Sequence, residues 1–499
     1  MKKYFLTTII TLTLFSTLSI SCSDEFVDPK PEYSIDSENY FNSKEEYDNA
    51  LIAAYDLLQS SYVNVLLGEI ASDNTLCGGE SPTDVIGFQQ IDDMIHTPVN
   101  SNLRDIWNWM FAGVQRANYI LEFKDKTDFT GKNQIIAEAR FLRAYYQFEL
   151  VKWFGGIPMK GDARFKIGDE KIIGRSYVAD VYASIEADLT FAAANLSPDA
   201  SQKGRVTRGA ALALLGKAYL FQGKFAQAAT ALDAVITSGK YSLVTDYNAM
   251  FEEAGENGAE SVFEIQYTDV EGAGFGCLQC SEGNVAVGFN GIRNYSGPLF
   301  SSGYSFNIPT AEAAAAFEAG DKRKDVAILD INAWALANAS YDNGNGVTFG
   351  KGNEDTGFFN RKYLPRKRSS AAQGDLNLTN PNNYRAIRYA DVLLMAAEAY
   401  NRGGISDTKA KEYLNLVRRR AFGDMNHDVT TVSTTLTEDI LNERRVELLG
   451  EGHRFFDLVR TGKAAGKIPG FKANKNELFP LPIEEIQFAN GNWAQNPGY

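Results

Sequence analysis

The densest group of side chains that could carry out acid–base chemistry lies near the end of the chain. Glu443, Glu447 and Glu451 recur every four residues, which places them on one face of a helix. Arg444 and Arg454 lie near enough in the sequence to pair with them. A catalytic interpretation would make one glutamate the acid and another the base. We favour the alternative, a structural ion-pair network that fixes one helix to another, because the planar fork of arginine suits that task.

The sequence lacks the motifs of other common catalytic sites. There are three histidines in 499 residues, and no serine or cysteine lies in a nucleophile motif. Neither a zinc-ligand spacing nor a glycine-rich phosphate loop after a strand is present. The sequence therefore predicts no catalytic residue, no metal site and no cofactor. A carboxylate pair for glycoside hydrolysis stays open, because spacing is uninformative among 63 acidic residues.

Aromatic residues in stretches without a regular period are the more informative candidates. Sugar rings pack their C–H faces on aromatic planes, while Asn, Asp and Arg side chains beside them bind the hydroxyl groups. Asp73 with Asn74, and Arg293 with Asn294, supply such polar neighbours. Each aromatic residue could instead be plain packing, so the prediction of a glycan site rests on the group as a whole. The aromatic residues of the group are Phe88, Tyr295, Tyr304, Trp334, Tyr341 and Phe349.

The chain starts like an exported protein. Lys2 and Lys3 precede an uncharged, mostly apolar stretch, and Cys22 comes before the first acidic residues. This order is typical of a signal peptide over residues 1–21. We expect cleavage just before Cys22 and lipid on that cysteine, with residues 22–42 as the lipidated N-terminus and linker. An uncleaved transmembrane anchor is the alternative, since the stretch is almost long enough to span a bilayer.

Beyond the signal peptide the chain is strongly acidic. Removal of residues 1–21 takes two of the 49 basic residues and none of the 63 acidic ones, which leaves 47 against 63 and a net charge of −16. Such a surface repels nucleic acid, so no nucleic-acid partner is expected. Cys277 and Cys280 could close a small disulfide in an oxidising compartment, or one of them could pair with Cys77.

The elements that must position these residues are mostly helices. Apolar residues recur at helical spacing over about 43–59, 103–123 and 133–154. Residues 209–238 resemble a tetratricopeptide unit, in which two short helices share apolar faces and meet closely at Gly216. We therefore predict a mostly α fold, in which tetratricopeptide-like helical hairpins stack into a superhelical body.

The predicted hairpins fall into two blocks, about 43–239 and 383–460. Between them, about 240–382, lies an insertion rich in Gly, Asn, Ser and aromatic residues, in which 262–267 are predicted to form a short strand. Long irregular segments in an ordered chain are usually functional. The insertion and a shorter excursion at about 72–100 are therefore the parts expected to bind a ligand.

Several long motifs resemble the SusD/RagB family of outer-membrane nutrient-binding lipoproteins. In chain order they are RFLRAYY (140–146), FGGIP (154–158), RYADVLLMAAEA (388–399), the glutamate-rich run 443–460 and, within the C-terminal segment 461–499, LFPLP (478–482) and QNPGY (495–499). GDKR (320–323) is a weaker match, because the family often has a proline after the aspartate. The resemblance spans nearly the whole chain.

The resemblance implies a helical body over residues 43–499 that caps a TonB-dependent outer-membrane barrel of the SusC type. Such proteins bind a nutrient, commonly an oligosaccharide, on the outer face of a Gram-negative cell and deliver it to the barrel without catalysis. The expected partners are thus the barrel, the oligosaccharide and, through lipid on Cys22, the outer membrane. The ligand-binding loops vary within the family, so no binding residue carries over. A lipid-anchored glycoside hydrolase and a peptide-binding helical-repeat scaffold remain alternative functions.

Overall fold

Helices are the main elements of the chain, as the sequence predicts. The computed structural model describes residues 39–272, 274–369 and 372–499. The predicted signal peptide, the predicted lipidation site Cys22 and most of the predicted linker lie outside these residues. The helices are α1 Lys44–Asp56, α2 Tyr62–Ile70, α3 Ile86–Asp92, α4 Ser101–Glu122, α5 Lys132–Phe154, α6 Val178–Asn195, α7 Arg208–Phe221, α8 Phe225–Ile236, α9 Val285–Asn290, α10 Ala311–Ala315, α11 Lys324–Ala327, α12 Ile331–Ala337, α13 Tyr389–Arg402, α14 Asp407–Phe422, α15 Ser433–Glu447, α16 Arg454–Arg460 and α17 Ile483–Phe488.

The helices pack as a continuous series of antiparallel hairpins. Consecutive helices from α4 to α8 each pack against the next, and α13 pairs with α14. A Cβ atom added to Gly216 of α7 would lie 2.5 Å from Cγ of Leu232 in α8, so glycine is required for this close approach. α8 also packs against α13, so the second block of repeats continues the first directly after the insertion. The predicted mostly α, tetratricopeptide-like fold is confirmed.

Short antiparallel strand pairs hold the insertion and the excursion in place. The strands are β1 Thr75–Cys77, β2 Ser261–Ile265, β3 Asn307–Pro309, β4 Ile328–Asp330, β5 Phe358–Asn360 and β6 Tyr384–Arg388. β2 pairs with β6, which joins the first part of the insertion to the residues that directly follow it. β1 pairs with β3 and thereby ties the excursion to the insertion, while β4 pairs with β5 inside the insertion.

The insertion has a small hydrophobic core of its own. It is separate from the main core that runs through the helical hairpins. Trp334, Val347 and Phe349 are half-buried and pack on its edge. The buried members of the small core are Ile292, Tyr295, Phe300, Ile308, Leu329, Ile331, Phe359 and Leu364. Because it has its own core, the insertion can keep a fixed shape without a regular helical or strand period.

One stretch, Lys44–Ile70, is long and apolar enough to cross a membrane by length and composition alone. In the fold, 67% of its most apolar window is buried, and α1 packs against α4 and α5. We therefore assign this stretch to the core.

Candidate ligand-binding site

Tyr304 is the centre of the candidate site. It lies just before β3, and its ring centroid is 5.6 Å from that of the buried Phe289. The ring of Phe275 lies on another side, with centroids 6.0 Å apart and planes at 62°. Partial burial raises the pKa of the Tyr304 hydroxyl, which accepts a hydrogen bond from Nδ2 of Asn377 at 3.1 Å. A half-buried, braced aromatic ring of this kind is suited to hold the C–H face of a sugar.

Arg293 places a guanidinium beside Tyr304. Its Nη2 donates to the backbone oxygen of Tyr304 at 3.2 Å and to Oδ2 of Asp84 at 3.4 Å. Nη1 lies 3.6 Å from Oε2 of Glu80, a side chain that is 78% exposed. The guanidinium therefore faces a polar, partly solvated surface, where it can donate further hydrogen bonds to hydroxyl groups.

Asn294 continues this polar surface. It is exposed and has a φ of 51°, a left-handed conformation that asparagine tolerates better than most residues. The backbone nitrogen of Gly350 donates to the backbone oxygen of Arg293 at 2.7 Å, which sets a second loop beside the pair. Tyr304, Arg293 and Asn294, all predicted from the sequence, thus fall on one part of the insertion.

The other predicted aromatic residues of the insertion form a second group around its small core. Tyr295 is buried; its hydroxyl donates to the backbone oxygen of Pro298 at 2.8 Å and accepts from Nε1 of Trp334 at 2.9 Å. Trp334 lies in α12 and also packs on Phe300. Tyr341 is half-buried, and Nζ of Lys367 lies 3.1 Å from its hydroxyl. This group is first of all structural, with Tyr341 at its rim.

The predicted residues of the excursion are buried and bonded within the fold. Asp73 accepts two hydrogen bonds from Arg454, Nε to Oδ1 at 2.7 Å and Nη2 to Oδ2 at 2.8 Å. Burial alone raises the pKa of Asp73, but Arg454 outweighs it and holds that pKa below its usual value. Asn74 is completely buried and accepts from Nε of Arg445 at 2.8 Å. These side chains fasten the excursion to the second block of repeats, so we leave them out of the proposed ligand surface.

Phe88 lies in a layer behind the site. It is 3% exposed, and its ring centroid is 5.5 Å from that of Phe289 and 5.6 Å from that of Phe306. Phe289 in turn supports Tyr304. Phe88 therefore acts through packing, and it too is left out of the proposed ligand surface.

Three residues of this surface were not among the predicted ones: Phe275 and Asn377, which contact Tyr304, and Asp84, which pairs with Arg293. Phe275 is 60% exposed on a loop that contains a disulfide between Cys277 and Cys280, while Cys77 is buried and free. Asn377 is fixed by a turn in which its backbone nitrogen donates to Oδ1 of Asp375 at 2.8 Å. None of the three lies in a segment with helical or strand periodicity, so the sequence does not indicate that they lie close together in the fold.

The glutamate-rich run forms the structural network that we favoured, but with other partners than predicted. Glu443 pairs with Arg323 and Arg418 at 2.6 and 2.8 Å, and Glu447 pairs with Arg388 and Arg420 at 2.8 and 2.6 Å. Burial alone raises the pKa of Glu447, but these arginines outweigh it and hold that pKa well below its usual value.

The two arginines that were predicted to pair with these glutamates pair with aspartates instead. Arg444 pairs with Asp391 at 2.7 Å, and Arg454 pairs with Asp73. The carboxylates of the run are buried from any substrate. Within the described part of the chain, no group of three or more His, Cys, Asp or Glu side chains is placed to hold a metal ion.

An apolar groove lies apart from Tyr304. Its volume is about 590 Å³, and its walls include Trp107 and Phe111 of α4, Phe165, Phe488 of α17 and Trp493. Walls of this kind suit an apolar partner better than the hydroxyl groups of a sugar. Phe488 is 61% exposed, close to the 60% of Phe275, and is therefore a matched control position.

Comparison with known proteins places nearly the whole chain in one group of relatives. Residues 252–477 match the SusD family, and residues 25–220 match a family described as "Starch-binding associating with outer membrane". The SusD-like protein P38 of Formosa agariphila is 29% identical over 539 aligned residues, which cover 100% of both chains.

Solved structures share the fold. A laminarin-binding SusD-like protein is 33% identical and superposes with a TM-score of 0.83, over 92% of this chain and 100% of that one. Surface glycan-binding protein A from Bacteroides thetaiotaomicron, in complex with laminarihexaose, is 27% identical with a TM-score of 0.80, over 91% of this chain and 99% of that one.

Proposed function

Because the chain belongs to the SusD family, we propose that it is a non-catalytic glycan-binding protein of the bacterial cell surface. The main observation in favour of the proposal is the half-buried Tyr304 ring, which lies beside Arg293 and Asn377, with the exposed Asn294 next to Arg293 in the chain. An aromatic face with convergent planar hydrogen-bonding groups is the chemistry that binds a sugar ring.

The ligand to test first is laminarin or an oligosaccharide derived from it. Two solved relatives that are 33% and 27% identical to this chain are named for binding laminarin and laminarihexaose. The neighbouring acids Glu80 and Asp84 and the donors of Arg293 offer both acceptors and donors to sugar hydroxyls. A neutral glycan also suits a chain with a net charge of −16 after removal of residues 1–21, since such a chain would repel an anionic polysaccharide.

The acidic run that stands out in the sequence supplies no catalytic pair. The densest acidic run, Glu443 to Glu451, is buried and paired with arginines and a lysine. A glycosidase needs two carboxyl groups that flank a bond of the substrate, which these side chains cannot reach.

The proposal includes an anchor and a partner. Lipid on Cys22, after removal of residues 1–21, would hold the protein at the outer face of the outer membrane. There it would pass the captured oligosaccharide to a SusC-like, TonB-dependent barrel. Family membership supports both steps, together with the description of one matched family as associating with the outer membrane.

The experiment is a binding screen with detection of products. Purified protein is run in native gels that contain laminarin, starch, xylan or a β-1,4-glucan, and each mixture is also assayed for released sugars. We expect retardation by laminarin, no released sugar, and loss of retardation in Tyr304→Ala but not in Phe488→Ala. Released sugar would identify a hydrolase. Retardation by none of the glycans would favour the peptide-binding scaffold.

A further inference from the structure

The loop that carries Phe275 has an unusual composition. Phe275 is flanked by Gly274 and Gly276, and a Cβ atom added to either glycine would meet nothing within 4 Å. Glycine allows more backbone conformations than any other residue, so an unbraced segment of this kind would leave the phenylalanine ring free to move. In the structure the ring nevertheless lies against Tyr304, although it is 60% exposed to solvent.

The bracing comes from the residues that follow. The disulfide between Cys277 and Cys280 closes a turn in which the nitrogen of Cys280 donates to the oxygen of Cys277 at 3.3 Å. Leu278, inside this turn, packs on the main core. The turn thus fixes the backbone two residues after Phe275.

Hydrogen bonds at the base of the loop complete the bracing. The nitrogen of Thr268 donates to the oxygen of Glu282 at 2.8 Å, which joins the two ends of the loop. Nε2 of Gln59 donates to Oε2 of Glu282 at 2.6 Å, which fastens that end to the helical body. The base of the loop is therefore held independently of Phe275.

We propose that Phe275 is a second ligand-contacting ring of the Tyr304 site, and that the disulfide between Cys277 and Cys280 positions it. The proposal rests on the proposed function, since it concerns the binding of the same glycan. Two neighbouring aromatic rings can each contact a different C–H surface of one pyranose ring. A ring that is already held loses less conformational freedom when the ligand arrives, so preorganisation strengthens binding.

A purely structural role for the disulfide makes a different prediction. A disulfide stabilises a fold by restricting the unfolded chain, and the effect grows with the length of the closed loop. Here the cysteines are three residues apart and both are exposed, so the closed loop is short and the substitutions remove no buried side chain. A positioning role should therefore appear in the dissociation constant of the glycan and leave the melting temperature nearly unchanged.

The test is a double-mutant cycle on the full mature protein. The wild type, Phe275→Ala, the pair Cys277→Ser with Cys280→Ser, and all three substitutions together are titrated with laminarihexaose by calorimetry. We expect Phe275→Ala to weaken binding about tenfold and the serine pair to weaken it severalfold. The combined variant should bind no more weakly than Phe275→Ala alone, because the disulfide acts through that ring.

Controls separate the possible outcomes. Dithiothreitol should weaken the wild type like the serine pair and leave Phe275→Ala unaffected, while Phe488→Ala should bind like the wild type. Equal binding by Phe275→Ala overturns this inference alone and leaves the proposed function standing. The positioning role is overturned if the fold-losses of affinity in Phe275→Ala and in the serine pair multiply in the combined variant. It is also overturned if the serine pair binds the glycan like the wild type. A wild type that binds no glycan of the screen overturns the proposed function and this inference together.

Discussion

Arg388 and Glu451 form a bidentate ion pair, with Nε to Oε2 and Nη2 to Oε1 both at 2.8 Å. Both side chains are buried, and they lie 63 residues apart in the chain. Arg388 ends β6, which pairs with β2 of the insertion, and Glu451 follows α15 in the second block of repeats. Nη1 of Arg388 also donates to Oε1 of Glu447 at 2.8 Å. The pair thus fastens the β2–β6 strand pair at the base of the insertion to the helical body.

Loss of the Arg388 guanidinium should destabilise the protein strongly. Arg388→Leu leaves Glu447 and Glu451 buried with fewer partners, which costs about 3–5 kcal/mol of unfolding free energy. Arg388→Lys should rescue little, because an ammonium group cannot form the bidentate pair. Urea unfolding followed by circular dichroism measures both. Arg104→Ala, which breaks the exposed pair with Glu484, is the control, with an expected cost below about 1 kcal/mol. Equal shifts for Arg388→Leu and Arg104→Ala would contradict the buried network.

Phe88→Ala tests whether that ring is core or ligand contact. Truncation of a buried phenylalanine costs about 3–5 kcal/mol, because a cavity remains beneath Phe289. Phe275→Ala, at an exposed position, should cost no more than about 0.5 kcal/mol. Thermal unfolding compares the two variants. A Phe88→Ala protein that melts like the wild type but no longer binds glycan would show that Phe88 contacts the ligand and is not a core residue.

Asp92 should make stability fall as the pH rises. Burial raises the pKa of its carboxyl group to about 7, although the group accepts a hydrogen bond from the nitrogen of Cys77 at 2.7 Å. Between about pH 4, where the unfolded chain releases this proton, and pH 7, the folded state still holds it, so unfolding becomes easier with rising pH.

Asp92→Asn should remove this dependence. The amide keeps an acceptor for the Cys77 nitrogen and carries no charge. We expect greater stability than the wild type at pH 8, by a few kcal/mol, and little difference at pH 4. Urea unfolding at both pH values is the measurement, with the fully exposed Asp128→Asn as control. An identical pH profile for wild type and Asp92→Asn would show that the carboxyl group is solvated in the folded state.

Cys22→Ala should separate binding from delivery. The purified variant is expected to bind glycan like the wild type, because the Tyr304 site lies in the helical body and its insertion. In cells the variant should leave the membrane fraction, and growth on the glycan should slow. Fractionation and growth curves test this. Unchanged growth would mean that the barrel alone retains the protein.

The helical fold was predictable where helices have one buried face. α1, α4 and α5 follow the apolar periodicity to within a few residues, and the hairpin of α7 and α8 follows the spacing around Gly216. α2 has no such signal, because eight of its nine residues are buried and it therefore lacks a polar face.

The candidate site was only partly predictable. Tyr304, Arg293 and Asn294 could be selected by residue type, since aromatic and planar polar side chains in irregular segments suit sugars. Asp73 could not be recognised as structural, because its partner Arg454 lies 381 residues further along the chain. Phe275 could not be selected either, because its contact with Tyr304 exists only in the folded chain.

Calorimetric titration with laminarihexaose measures whether a glycan binds at the Tyr304 surface. Wild type, Tyr304→Ala and Phe488→Ala are measured side by side, with melting temperatures to confirm folding. We expect binding by the wild type and by Phe488→Ala, and affinity at least about tenfold weaker for Tyr304→Ala. Undiminished binding by a folded Tyr304→Ala protein would contradict the site, and no binding of any glycan by the wild type would contradict the function.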